Sequence, residues 1–154
     1  MLNLRRRRGF SLIELLIVIA IILIIITIAL PRFAKAQMFA RETAALAAIR
    51  TLHTMQVQYY SQYGRNATSL TELGPPATGA DSPAAAGLID ATLAAGEKGG
   101  YKFTLTANQG GYIINANPVT FGTSGSRTFY SDQSMVIRQN YGPEPATANS
   151  AEMK

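Results

Sequence analysis

The chain has 154 residues, room for one membrane span and one small domain. Its formal charge of +5 comes mostly from four successive arginines; without residues 1–9, ten basic residues face nine acidic ones, and that near-neutral balance gives no support to nucleic-acid binding. There is no cysteine, which excludes disulfides, thiolate–zinc sites and thiol catalysis.

The arginines, Arg5 to Arg8, precede Gly9 and a long apolar run. From Phe10 to Leu30 the only charge is Glu14. As a helix rising about 1.5 Å per residue, this run spans roughly 30 Å, the thickness of a bilayer's hydrocarbon core. Arginines before a first span hold that end on the cytoplasmic side, so the rest of the chain emerges across the membrane. Glu14 is the anomaly. A carboxylate in an apolar helix costs about 2.5–3.5 kcal/mol at the bilayer centre, less near the interface, and usually has a function. It lies four residues after Phe10. A cut between Gly9 and Phe10 creates an amino group near it, in the same helix or in a neighbouring one.

Beyond Pro31, which removes a backbone hydrogen bond and should loosen the helix, the helical pattern resumes. Ala45, Ile49, Leu52, Met55 and Tyr59 form a stripe at helical spacing. Tyr63-Gly64 reads as a glycine C-cap. This predicts one helix from Phe10 to about Tyr63. Ser69–Leu73 offers a short helical turn. Asp81-Ser82-Pro83 reads as an N-cap and first turn, leading an alanine-rich helix over Ala84–Ala95 that Gly96 closes. Tyr101–Ala107 alternates as a half-buried strand, turns at Asn108–Gly111 and returns over Tyr112–Ala116. Asn117-Pro118 breaks that strand, and Gly122–Ser126 reads as a flexible loop. A second hairpin joins Arg127–Tyr130 to Ser134–Gln139 around Asp132-Gln133. So small a sheet needs the Ile49–Tyr59 stripe as a partner. Gly142 to Lys154 reads as a disordered tail.

The leader ending in Gly9, then Phe10-Ser11-Leu12-Ile13-Glu14-Leu15-Leu16, the apolar run and Pro31 together resemble the type IV pilin superfamily, which includes pilus subunits and the pseudopilins of type II secretion. The later order of long helix, variable loop and antiparallel sheet is also similar, as are Tyr59–Gly64, Gly100–Phe103, Ala116–Pro118 and Phe129–Asp132. The resemblance implies an α+β, pilin-like fold: a long N-terminal helix, transmembrane in its first half, packed on a small antiparallel sheet. It divides the chain into a leader (1–9), a transmembrane or filament-core helix (10–30), its amphipathic continuation (31–63), a globular region (64–141) and a flexible tail (142–154). It implies cleavage by a prepilin peptidase at Gly9–Phe10, N-methylation of Phe10, and assembly through Phe10, Glu14 and Pro31. The implied partners are copies of the chain in a helical filament, an inner-membrane assembly platform, and minor pilins or pseudopilins. The precursor would sit in the inner membrane, its N-terminus cytoplasmic. Assembly would then place it in an extracellular pilus or a periplasmic pseudopilus. Missing cysteines depart from the disulfide of many pilus subunits and lean towards the pseudopilin side.

Other readings of the N-terminal run are a signal peptide cut after Ala34-Lys35-Ala36, a plain uncleaved anchor carrying a binding module, and a soluble core helix. The run is too long for the first and too apolar all round for the last. No catalytic constellation is visible. His53 stands alone on the helix, and Gly122–Ser126 lacks the spacing of a nucleophile elbow. Calcium is the one cofactor the resemblance allows, with Asp132 and carbonyls of the 117–126 loop as its ligands. Calcium wants six to eight oxygens, however, and the acids here are scattered. Phe10, Phe33, Phe39, Tyr59, Tyr60 and Tyr63 share one helix and read as packing residues.

Overall fold

The computed structural model describes residues 9–108 and 110–153. The orienting arginines Arg5–Arg8, Gln109 in the first hairpin turn and Lys154 lie outside the described residues. Two compact units are present, residues 1–36 and 37–154. Helix α1, Leu12–Tyr63, contributes to both.

In the first unit every apolar side chain from Leu12 to Leu30 is exposed. Among the described residues α1 is the one helix long and apolar enough to cross a membrane. Helical residues continue on both sides of Pro31. Proline has no N–H, so the Thr27 carbonyl loses its helical donor there. The Thr27 hydroxyl donates to the Ile24 carbonyl at 2.7 Å.

In the second unit α1 buries Ala45, Ile49, Leu52, Gln56 and Tyr59, steps of four and three that trace one helix face. Gly64 ends the helix at φ +69, its N–H donating to the Tyr60 carbonyl at 2.8 Å. Helix α2 follows over Leu70–Leu73, with the Ser69 hydroxyl accepting from the Glu72 N–H at its N-terminus.

The alanine-rich stretch departs from expectation. Residues 84–90 are not helical, and α3 covers only Ala91–Ala94. Gly87 takes φ +63, and a Cβ there would lie 2.8 Å from the Asp81 carboxylate. The N–H groups of Ala86, Gly87, Leu88 and Ile89 donate to carbonyls of Glu72, Leu73 and Gly74. Satisfying the C-terminal carbonyls of α2 thus outweighs alanine's helix propensity. The working cap is Asp90, whose carboxylate accepts from the Leu93 N–H at 3.0 Å.

The sheet is an antiparallel meander of six strands in chain order. These are β1 (Glu97–Lys98), β2 (Tyr101–Asn108), β3 (Gly111–Pro118), β4 (Thr128–Asp132), β5 (Ile137–Asn140) and β6 (Ala151–Glu152). Both expected hairpins form, and β3 continues through Asn117 to Pro118. Tyr101, Phe103, Leu105, Tyr112, Ile114, Ala116 and Phe129 join the α1 stripe in one core.

Two further expectations fail for one reason: long-range partners. Loop 122–126 is bonded rather than flexible. The Ser126 N–H and hydroxyl both donate to Glu42 of α1, at 2.7 and 2.8 Å. A Cβ at Gly125 would lie 2.0 Å from the Tyr101 hydroxyl, so only glycine fits there. Residues 142–153 are not a disordered tail. They cross the outer face of β4, where Thr128 and Asn140 side chains donate to the Glu144 carbonyl and Asn115 donates to that of Ala146. Ala146 is buried, and β6 pairs with β5. This cover explains why Thr128 to Ser131 of β4 are buried on both faces.

Three polar contacts fasten α1 to what packs on it. Glu42 pairs with Arg127 at 2.7 Å, both side chains nearly buried. Burial alone would raise the Glu42 carboxyl, but the Ser126 bonds and Arg127 outweigh it and hold it below the ordinary range. Gln56 exchanges two bonds with the Ala67 backbone, at 3.0 and 2.9 Å. His53 bridges Tyr112 and Ser131, each at 2.7 Å. The Ser131 hydroxyl donates to the Val136 carbonyl, so it accepts from His53 Nε2–H. Burial favours the neutral ring, and in that form Nδ1 accepts from the Tyr112 hydroxyl.

Two outcomes follow. Arg127→Ala strands the buried Glu42 carboxylate and should cost about 3–5 kcal/mol, whereas joint replacement of Glu42 and Arg127 by apolar residues should cost far less. Denaturant unfolding of the full chain in detergent checks this. For His53, burial depresses the folded pKa, partly offset by Asp132. The unfolded chain therefore binds the extra proton first as pH falls. Stability is complete above about pH 6.5, the unfolded value, and declines below it until the folded pKa is passed. Thermal unfolding between pH 7.5 and 5 should show this loss, and His53→Gln should flatten it.

Candidate functional site

The N-terminal end of α1 is a capping arrangement. Ser11 precedes the first helical residue, and the Leu15 N–H donates to its carbonyl at 3.2 Å. Glu14 reaches back one turn, and its Oε2 accepts from the Ser11 N–H at 2.8 Å. This is the glutamate half of an S-x-x-E capping box, which satisfies a backbone donor that the helix leaves free. In an apolar surrounding that donor and the carboxylate would each be costly alone. The sequence signal, Ser11-Leu12-Ile13-Glu14 before an apolar run, was present but masked by the charge anomaly at the same residue.

Gly9 and Phe10 lie just outside the helix, both exposed, and nothing stands within 4 Å of where a Gly9 Cβ would be. The Gly9–Phe10 bond therefore lies in exposed, non-helical chain. While the chain is intact the Phe10 nitrogen is a neutral amide, so Glu14 has no cationic partner there. Its described hydrogen bond is the one to Ser11. Pro31 lies some seventeen positions along α1 from Glu14. Around it in sequence, Ile26, Ala29, Leu30 and Phe33 outline an apolar hollow of about 350 Å³.

Residues 4–30 match the family model of the prokaryotic N-terminal methylation motif. The type IV wide pilus major component PilA4 of Thermus thermophilus is 34% identical over 118 residues, covering 72% of this chain and 90% of that protein. The chain belongs to the type IV pilin family. The type IV major pilin protein PilA of Myxococcus xanthus is 41% identical over 69 residues, 45% of this chain and 31% of that protein's length. No solved structure matches. This pilin has the α+β architecture its sequence resembled, and it is a structural subunit of pilus filaments rather than an enzyme.

The other candidate residues of the pilin do not converge. Asp132 accepts from the Ser134 N–H and hydroxyl at 2.9 and 2.6 Å. The Ser134 hydroxyl is the main cause that holds its carboxyl below the usual range. Asp132 pairs opposite Ile113, at the other end of β3 from the 117–126 loop. The fold thus separates the groups expected to share a calcium ion. Among the described residues no three His, Cys, Asp or Glu side chains are grouped to hold a metal.

Proposed function

We propose that this pilin is made as a precursor, cut between Gly9 and Phe10 by a prepilin peptidase, methylated on the new amino group and assembled as a major subunit of an extended pilus. The match of residues 4–30 to a methylation motif carries the reading. Both curated relatives are major pilus components, which favours a pilus over a secretion pseudopilus.

The chemistry follows from what cleavage creates. Hydrolysis delivers hydroxyl to the Gly9 carbonyl and hydrogen to the Phe10 nitrogen. The resulting amine, methylated or not, is mostly protonated at neutral pH. It then stands as a cation at the positive end of α1, where the helix dipole disfavours it. A carboxylate nearby removes that penalty. Ser11 engages only Oε2 of Glu14, so each carboxylate keeps a second oxygen, and that of a neighbouring subunit is an acceptor for the amine. In the filament core, Leu15–Leu30 exchanges lipid for similar apolar side chains, so the apolar run does not choose an axial register. Pairing each Phe10 amine with a neighbour's Glu14 does, because an unpaired charge there costs several kcal/mol. Pro31 supplies a point of weak hydrogen bonding at the end of the run, where the helix can adjust. The precursor waits in the inner membrane, residues 1–9 cytoplasmic, until an assembly platform and minor pilins extract it.

The cap and the charge pair are separable. Glu14→Gln retains an oxygen for the Ser11 N–H and loses the charge; Glu14→Ala loses both. Both variants should be cleaved, and both should lose filaments roughly a hundredfold or more, the equivalent of about 3 kcal/mol per subunit. Normal filament yield from Glu14→Gln, measured by electron microscopy and sheared-fraction immunoblot, would show that the cap alone matters and refute the pairing.

A further inference from the structure

One end of the globular unit gathers large exposed side chains. In the sheet, Ala116 of β3 pairs with Phe129 of β4, and Phe129 with Gln139 of β5. The chain beyond Ala116, before Phe129 and after Gln139 therefore lies at the same end. Arg41 and Glu42 of α1 bond Thr123 and Ser126 there, so this is also the end at which α1 enters the unit. From Gln37 onward seven large apolar side chains are exposed among the described residues. Four of them belong to this end: Phe39 (65%), Val119 (53%), Phe121 (40%) and Tyr141 (69%). Grouped exposure of this kind marks a contact surface, whereas single exposed residues do not.

Two of the rings are held out by structure. The loop that carries Phe121 closes through the Gly122 N–H on the Gly125 carbonyl, and through the Thr123 and Ser124 N–H groups on the Thr120 carbonyl. Tyr141 lies 5.8 Å from the Arg127 guanidinium, which Glu42 anchors. Binding therefore costs little further ordering. Arg41 donates to the Thr123 carbonyl at 3.4 Å and has no ion-pair partner among the described residues. Glu97 stands opposite Lys102, and Glu144 is an exposed acid near Tyr141. In the sequence, the stretch from Pro31 to Arg41 carries Arg32, Lys35 and Arg41 and no acid. Cations this close to a span, on the side it exports, oppose the positive-inside bias. Their presence calls for a local anion.

We propose that this end of the unit is a second membrane contact. Phe39, Val119, Phe121 and Tyr141 enter the headgroup layer of the bilayer that α1 spans, and Arg41 pairs with the phosphate of an anionic phospholipid. The inference rests on the membrane-anchored subunit of the preceding subsection, before its assembly. A bilayer is the occupant because the chain itself brings one to the site. Seven residues lead from Leu30 to Gln37, a reach of at most about 25 Å. So short a tether gives an effective concentration in the roughly millimolar range, at which a weak contact suffices. A tyrosine with an apolar ring and a wet hydroxyl suits the interface. Binding grows with buried apolar area and with each cation, one near an anionic surface being worth about fivefold. Departure from the bilayer breaks the contact, so it favours the waiting subunit.

The chain has no tryptophan, so a single introduced one reports its own surroundings. The full chain is placed in nanodiscs of phosphatidylcholine and phosphatidylglycerol, brominated near the glycerol end of the acyl chains. Phe121→Trp should be quenched by the bromine, whereas Tyr60→Trp, about 29 Å along α1 from Arg41, should keep its emission. Arg41→Gln should weaken the quenching, the contact equilibrium falling about fivefold, and discs without phosphatidylglycerol should weaken it likewise. Tyr141→Trp replaces the first reporter if Phe121→Trp lowers the thermal midpoint. A reporter quenched no more than Tyr60→Trp overturns the contact. Quenching that Arg41→Gln leaves unchanged overturns the phosphate pairing. A chain that does not enter the discs at all removes the anchor itself, a failure distinct from both.

Discussion

The displayed domain depends on burial of one α1 stripe, Ala45, Ile49, Leu52, Gln56 and Tyr59, against the sheet. The sheet's apolar face must be covered by another element, and each fully buried Ile or Leu contributes about 1.5–3 kcal/mol as an upper estimate. Apolar contact does not by itself choose where along the helix the sheet sits. Glu42 with Ser126 and Arg127, and His53 with Tyr112 and Ser131, make that choice. They lie at two levels of α1, and a slip of one turn would strand both at once. Buried polar groups without partners are costly, so the register is sharply defined.

The first half of α1 obeys a different constraint. Its apolar side chains are exposed along the whole run and suit lipid or a bundle of similar helices. Only Glu14 distinguishes the two. In the precursor it caps its own helix through Ser11. In the proposed assembly, cleavage at Phe10 gives the same carboxylate a cation that did not exist before. On that reading one residue limits the cost of a charge in the membrane and then sets subunit register, and methylation, which leaves the amine its charge, leaves the pairing intact.

What could be read from the sequence was local. The helix and its glycine stop, the Ser69 turn and both hairpins follow from periodicity and turn chemistry within a few residues, and each is present. The failures involve distant partners. Ala84–Ala95 has high helix propensity, but its N–H groups are claimed by the end of α2, and Asp90 rather than Asp81 is the cap. Gly122–Ser126 and residues 142–153 have loop composition and are ordered by Glu42 and by the outer face of β4. His53 looked like an isolated residue, and the Glu42 ion pair was not legible, because their partners lie some sixty to eighty positions away. At the candidate site the residues were legible; the Ser11 cap was not, since the charge at Glu14 drew the reading outward to a second chain.

In the proposed assembly, creation of the Phe10 amine is the decisive step, and the N-terminus of the subunit within purified filaments reports it most directly. Mass spectrometry of the N-terminal peptide should find a chain beginning at Phe10 with one added methyl group. A chain beginning at Met1, or at Gln37 after a signal-type cut, would contradict it, because neither leaves a cation within reach of Glu14.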